Sequence, residues 1–130
     1  MDELFSFIYI FSEAIMMRFM LVLAALAGTA LLLGEVARRG DSMLVQPKAW
    51  DDLVAGAILL ALAIAGARAG PALHAAGWGL FTGVMLATLG INLDAWMTDA
   101  TKPRAGFYSG TLLAMVAVGS ASALWWARRR

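Results

Sequence analysis

Four long apolar stretches, each cut off from the next by glycine, proline or charged residues, leave this sequence few ways to fold. A helix needs about 20 residues to cross a hydrocarbon core of roughly 30 Å. The stretches are of that order, and their apolar residues run on without the alternation that a membrane-barrel strand of about ten residues requires. Helices also close every backbone hydrogen bond inside the segment, as lipid demands. The expected fold is therefore all-α, an integral membrane four-helix transmembrane bundle, with residues 1–130 forming a single transmembrane domain. Composition points the same way. Hydrophobic residues make up 62% of the chain and charged residues 15%, whereas a soluble domain holds about 45–50% apolar residues.

The spacing predicts helices at about residues 14–37, 52–69, 73–96 and 105–127. The first stretch is the least regular, being apolar from residue 4 to residue 34 but carrying Glu13 and Arg18 inside it. A straight helix of that length overshoots the bilayer by about half. Residues 4–12, Leu-Phe-Ser-Phe-Ile-Tyr-Ile-Phe-Ser, are therefore expected to leave the span as an aromatic-rich N-terminal interfacial segment. The acidic start Met1-Asp2-Glu3 lacks the positive region of a secretory signal, so the first stretch reads as part of the mature protein. Asp51 and Asp52 cap the second helix and Gly70-Pro71 ends it. The run Thr101-Lys102-Pro103-Arg104 separates the third from the fourth. Arg18, Arg68 and Arg128 are expected to snorkel at the interfaces, where Trp96, Trp125 and Trp126 form aromatic belts.

Helices in lipid associate through close backbone approach and interhelical hydrogen bonds, and small residues at four-residue spacing mark the faces that do so. Such stripes occur on all four helices: Ala24 and Gly28; Ala57 and Ala61; Gly79, Gly83 and Ala87; Gly106, Gly110 and Ala114. The plain reading is that they pack the bundle internally; the sharper one is contact with another subunit. Thr29, Thr82, Thr88, Ser109, Thr111, Ser120 and Ser122 are expected to add interhelical hydrogen bonds.

Ten lysines and arginines against nine acids give a net charge of +1, too weak a field for a nucleic-acid partner. The chain has no cysteine, which removes disulfides, thiolate metal sites and iron–sulfur clusters. His74 is the only histidine, excluding a bis-histidine haem within the chain, and it reads as an interfacial residue. No nucleophile–base pair, phosphate loop or Glu-x-x-His pattern is present. The chain is expected not to be an enzyme and to need no cofactor or metal. Glu13 is the candidate for proton or cation coupling, against a plain reading as a marker of the interface. Asp94 is a second candidate through a cation-holding pair with Glu35, against a plain reading as part of a surface ion cluster with Asn92 nearby. Lysines and arginines divide evenly between the two expected membrane sides, and the terminal Arg128-Arg129-Arg130 favours both termini in the cytoplasm.

Ile8-Tyr9-Ile10 followed by Glu13, in a chain of this length with four expected helices and balanced charge, resembles the small multidrug resistance exporters. That resemblance implies an antiparallel dimer coupling drug efflux to proton uptake, with Glu13 as the coupling carboxylate. The leading expectation is different: a non-catalytic accessory or scaffolding subunit of a larger membrane protein complex. Its partners would be membrane lipids and other membrane subunits or further copies of itself, in the bacterial cytoplasmic (inner) membrane. A third reading is a pigment-, quinone- or lipid-binding subunit, with Trp78, Phe81 and Met85 lining an apolar groove.

Overall fold

Nothing between the first residues and Arg39 is able to stop a helix: the first proline is Pro47, and the Ser12 hydroxyl turns back onto the Tyr9 carbonyl at 2.8 Å instead of unwinding the turn. In the computed structural model, which describes residues 1–98 and 104–129, α1 accordingly runs unbroken through Asp2–Arg39. Its 38 residues make a rod of about 57 Å. This corrects the expected separate interfacial segment. Residues 2–12 are the first turns of α1 and are exposed on every side.

α2 (Trp50–Ala65) follows two short 3₁₀ turns, Gly40–Leu44 and Pro47–Ala49. It ends earlier than the sequence implied. Gly66 (φ 61°) and Gly70 (φ 78°) take left-handed angles that L side chains resist, and between them Gly66–Ala69 makes a tight 3₁₀ corner. Pro71 then sits in the first turn of α3 (Gly70–Thr98), where its missing N–H costs nothing. α4 (Ala105–Ala127) has the bounds expected of it. Of the expected break, Thr101, Lys102 and Pro103 lie outside the described residues, as does Arg130 of the terminal triplet.

Among the described residues there are helices and short links but no strand. Three helical stretches, Asp2–Leu44, Pro47–Thr98 and Ala105–Ala127, are long and apolar enough to cross a membrane. Each helix packs on the next in the chain. The inward stripe of α1 is Met20, Ala24, Gly28, Leu31 and Glu35, a helical repeat of three and four. It meets Ala55, Gly56 and Leu59 of α2. Trp78, Phe81 and Met85 of α3 join Trp126 of α4 in the same core.

α1 and α2 meet backbone to backbone. A methyl added at Gly28 would stand 2.7 Å from the Gly56 carbonyl oxygen, and one at Gly56 would stand 2.9 Å from that of Gly28. Gly77 does the same against the Leu62 side chain of α2, and Gly119 of α4 against Phe81 and Thr82 of α3. Of the stripes read from the sequence, only Ala24–Gly28 lies in this core. Gly106 packs under the Trp96 ring, its added methyl 3.2 Å from Cζ2. Ala57, Ala61, Gly79, Gly83, Ala87, Gly110 and Ala114 are exposed, and nothing lies within 4 Å of where a methyl at Gly79, Gly83 or Gly110 would go. Internal packing is thus the wrong reading for those seven. Three of the seven residues expected to bond between helices bond locally instead. Thr82, Thr88 and Thr111 bond the carbonyls of Trp78, Val84 and Phe107 in their own helices, while Ser109 takes part in a bond between α3 and α4, donated by Asn92 Nδ2 at 2.8 Å.

Candidate functional site

The charged side chains gather at the two ends of α1. At its C-terminal end, Glu35 lies on the inward stripe and is fully buried, so its carboxylate requires partners. Arg38 and Arg39, one turn on, supply them: Arg38 Nη2 donates to Glu35 Oε1, and Arg39 Nε to Oε2 at 2.7 Å. The same Arg38 nitrogen reaches across to Asp52 Oδ2 of α2 at 3.1 Å. Arg39 Nη1 also holds Gln46 Oε1 of the connection at 2.5 Å, and Trp50 Nε1 donates to the Leu44 carbonyl at 3.1 Å. The placement suits both helix dipoles, with cations at the end of α1 and carboxylates at the start of α2. Chemically this is a clasp. The buried carboxylate is fully engaged, and the α1–α2 connection is fastened to it.

The cation-holding pair of Glu35 and Asp94, offered beside the plainer reading of Asp94 as a surface residue, is not formed. Asp94 is exposed near the end of α3, with its backbone carbonyl accepting from the Thr98 hydroxyl. Its neighbour Asn92 faces α4, donating to the Ala105 carbonyl at 3.1 Å as well as to Ser109. Among the described residues, no group of three or more His, Asp or Glu side chains is arranged to hold a metal ion.

At the other end, Glu13 meets Arg129 just beyond α4, with Oε2 and Nη2 2.5 Å apart and both side chains partly exposed. The Arg129 guanidinium carbon also sits 4.3 Å from the centroid of the Trp125 ring. Tyr9, Glu13, Trp125, Arg128 and Arg129 line a polar hollow of about 390 Å³. Twenty-two residues of α1 separate Glu13 from Glu35, which is about 33 Å of helix. Arg18 is exposed about 7.5 Å inward of Glu13, and because helical side chains lean toward the N-terminus it is aimed back at that end. Arg68, in the 3₁₀ corner, and Arg128 are exposed there too. Trp96 is half exposed at the opposite end.

Two residues expected at the interface, His74 and Trp126, are buried inside the protein. Trp126 is buried because it shares an inward face with Ser122 and Gly119, three or four residues apart. Its ring stacks on that of His74, 4.0 Å between centroids and 10° from parallel. His74 is fully buried and its Nε2 lies 2.8 Å from the Gly66 carbonyl oxygen. A carbonyl only accepts, so Nε2 carries the proton, and the imidazole ties the start of α3 to the end of α2. Trp78, Phe81 and Met85 are buried as well, with Trp78 edge-on to Phe81 at 5.4 Å. The groove expected along them is filled. The open groove lies elsewhere, between α1 and α4, where Phe19, Met20, Leu23, Val118, Ala121, Ser122 and Trp125 enclose about 340 Å³.

No family model, curated protein or solved structure matches this chain.

Proposed function

We propose that this chain crosses the bilayer four times and serves as a non-catalytic accessory or scaffolding subunit of a larger membrane protein complex in a bacterial cytoplasmic membrane. The corner at Gly66–Ala69 supports four crossings. The stretch Pro47–Thr98 counts 52 residues, about 78 Å if straight, and the corner folds it into two passes. The observation that carries the subunit reading is the outward stripe of α3. Gly79, Gly83, Ala87 and Gly90 recur at helical spacing on an exposed face, and nothing lies near the three glycines. Such a stripe lets a second helix come as close as α2 comes to α1 at Gly28 and Gly56. A lipid-facing helix has no need of it.

Purification from the native membrane in mild detergent is expected to bring down fixed partner chains, and Gly83→Leu to release them without unfolding this chain. Recovery of a lone monomer under those conditions would sink the proposal. The pairing of Glu13 with Arg129 at a partly exposed end favours this reading over the exporter resemblance. Loss of proton-coupled drug flux on Glu13→Gln in reconstituted vesicles would reverse that preference.

A further inference from the structure

The end of the molecule that holds Glu13 and Arg129 carries two adjoining hollows of opposite character. The polar one, lined by Tyr9, Glu13, Trp125, Arg128 and Arg129, offers two guanidiniums against one carboxylate, a surplus of one positive charge. Glu13 engages Arg129, while Arg128 is exposed. The apolar one is the α1–α4 groove, and the two share the Trp125 ring as a common wall. From Glu13 to Leu23 the pair runs ten residues along α1, about 15 Å. That is half of a roughly 30 Å hydrocarbon core, the depth of one leaflet.

We infer that this composite site binds an anionic phospholipid, its phosphate at Arg128 and Tyr9 and one acyl chain in the groove between α1 and α4. Three features select that occupant. The surplus charge matches a phosphodiester, and basic pockets beside membrane helices recruit anionic headgroups. The groove is almost wholly apolar and open on its outer side, so in a bilayer a chain would enter it without crossing a polar barrier. Trp125, held by Arg129 from one side and edge-on to Trp126 at 4.9 Å on the other, joins the polar and apolar hollows, as a tryptophan at headgroup level would join headgroup and chain. The site rests on membrane insertion but not on any protein partner, so failure to recover a complex leaves it standing.

The test uses the full chain in nanodiscs of phosphatidylcholine containing a minor share of phosphatidylglycerol, followed by release into detergent and native mass spectrometry of retained lipid. Retained phosphatidylglycerol is expected to exceed its share of the bilayer. Arg128→Gln, at an exposed position, is expected to lower that enrichment about fivefold, the worth of one cation near an anionic surface. Ala121→Phe, filling the groove wall, is expected to abolish retention while circular dichroism remains that of the parent. Enrichment unchanged in both variants would overturn the inference. So would a disulfide forming between copies of the Ala121→Cys variant, since in a chain with no other cysteine it would mean that a second copy covers the groove.

Discussion

Glu35 shows how one buried carboxylate organises an end of the protein. Glu35 is buried while Arg38 is exposed, so it is the carboxylate that would be stranded in a poorly solvated place without its arginines. Hydrogen bonds to charged groups are worth about 1.5–3 kcal/mol each. Glu35→Gln is expected to lower stability by about 2 kcal/mol, read as a fall in the thermal midpoint of the purified protein in detergent, whereas Asp94→Asn leaves it unchanged. The glycines divide in the same way. Gly28→Ala drives a methyl into the Gly56 carbonyl, and overpacking of that kind costs about 1–3 kcal/mol. Gly83→Ala meets open space and is expected to leave the midpoint level or slightly raised, since alanine favours helix over glycine by roughly 0.5–1 kcal/mol. Equal losses from Gly28→Ala and Gly83→Ala would contradict the packing described. Sequence alone marked Gly28 and Gly83 as equivalent, because four-residue spacing of small residues identifies a face but not what that face looks at. Trp125 and Trp126 raise the same difficulty. Adjacent residues on a helix point about 100° apart, so one of them had to differ in surroundings, and only the Gly119–Ser122–Trp126 repeat tells which.

At the scale of the element, α1 stands out for its length. Its first turns carry Leu4, Phe5, Phe7, Ile8, Tyr9, Ile10 and Phe11, all more than half exposed. They project about 16 Å beyond Glu13, and apart from the polar hollow at Tyr9 nothing in the bundle draws on them. Deleting residues 2–12 is therefore expected to leave the helical content and thermal midpoint of the bundle intact. The same deletion is expected to reduce the yield of co-purifying chains, and a drop in thermal midpoint instead would mean that these turns support the bundle itself. The four apolar stretches made helices legible in the sequence because lipid and backbone chemistry permit little else. Their ends were less legible. The start of α1 was misjudged because the length argument concerns what fits a bilayer, whereas the helix continues wherever no residue breaks it. The end of α2 was misjudged because Gly66 takes a left-handed angle that an alanine-rich context does not announce.

For the whole molecule, the pattern of burial is compatible with a membrane setting. Even in the most apolar windows of the three long stretches, only 17–28% of residues are buried, and many large leucine, isoleucine, phenylalanine and valine side chains are exposed. Such a surface suits contact with a membrane or with other protein better than with water. The sequence revealed this surface but not how the candidate sites sit in it. The Glu35 clasp requires α1 and α2 to meet at their ends, the Glu13–Arg129 pair brings together the first and last helices, and the α1–α4 groove exists only because those two helices converge at one end. No spacing within a single helix encodes such meetings.

The two ionic ends of α1 have one more effect. Glu13 and Glu35, each fastened to arginine, stand about 33 Å apart on a helix with no proline or kinked joint to shorten the interval. A membrane-crossing chain built this way works as a caliper. In a thinner hydrocarbon layer α1 must tilt, and in a much thicker one a fastened carboxylate is drawn into oil, each at a fraction of a kcal/mol per ångström. Summed over an assembly, that bias would sort the protein by the thickness of the membrane around it.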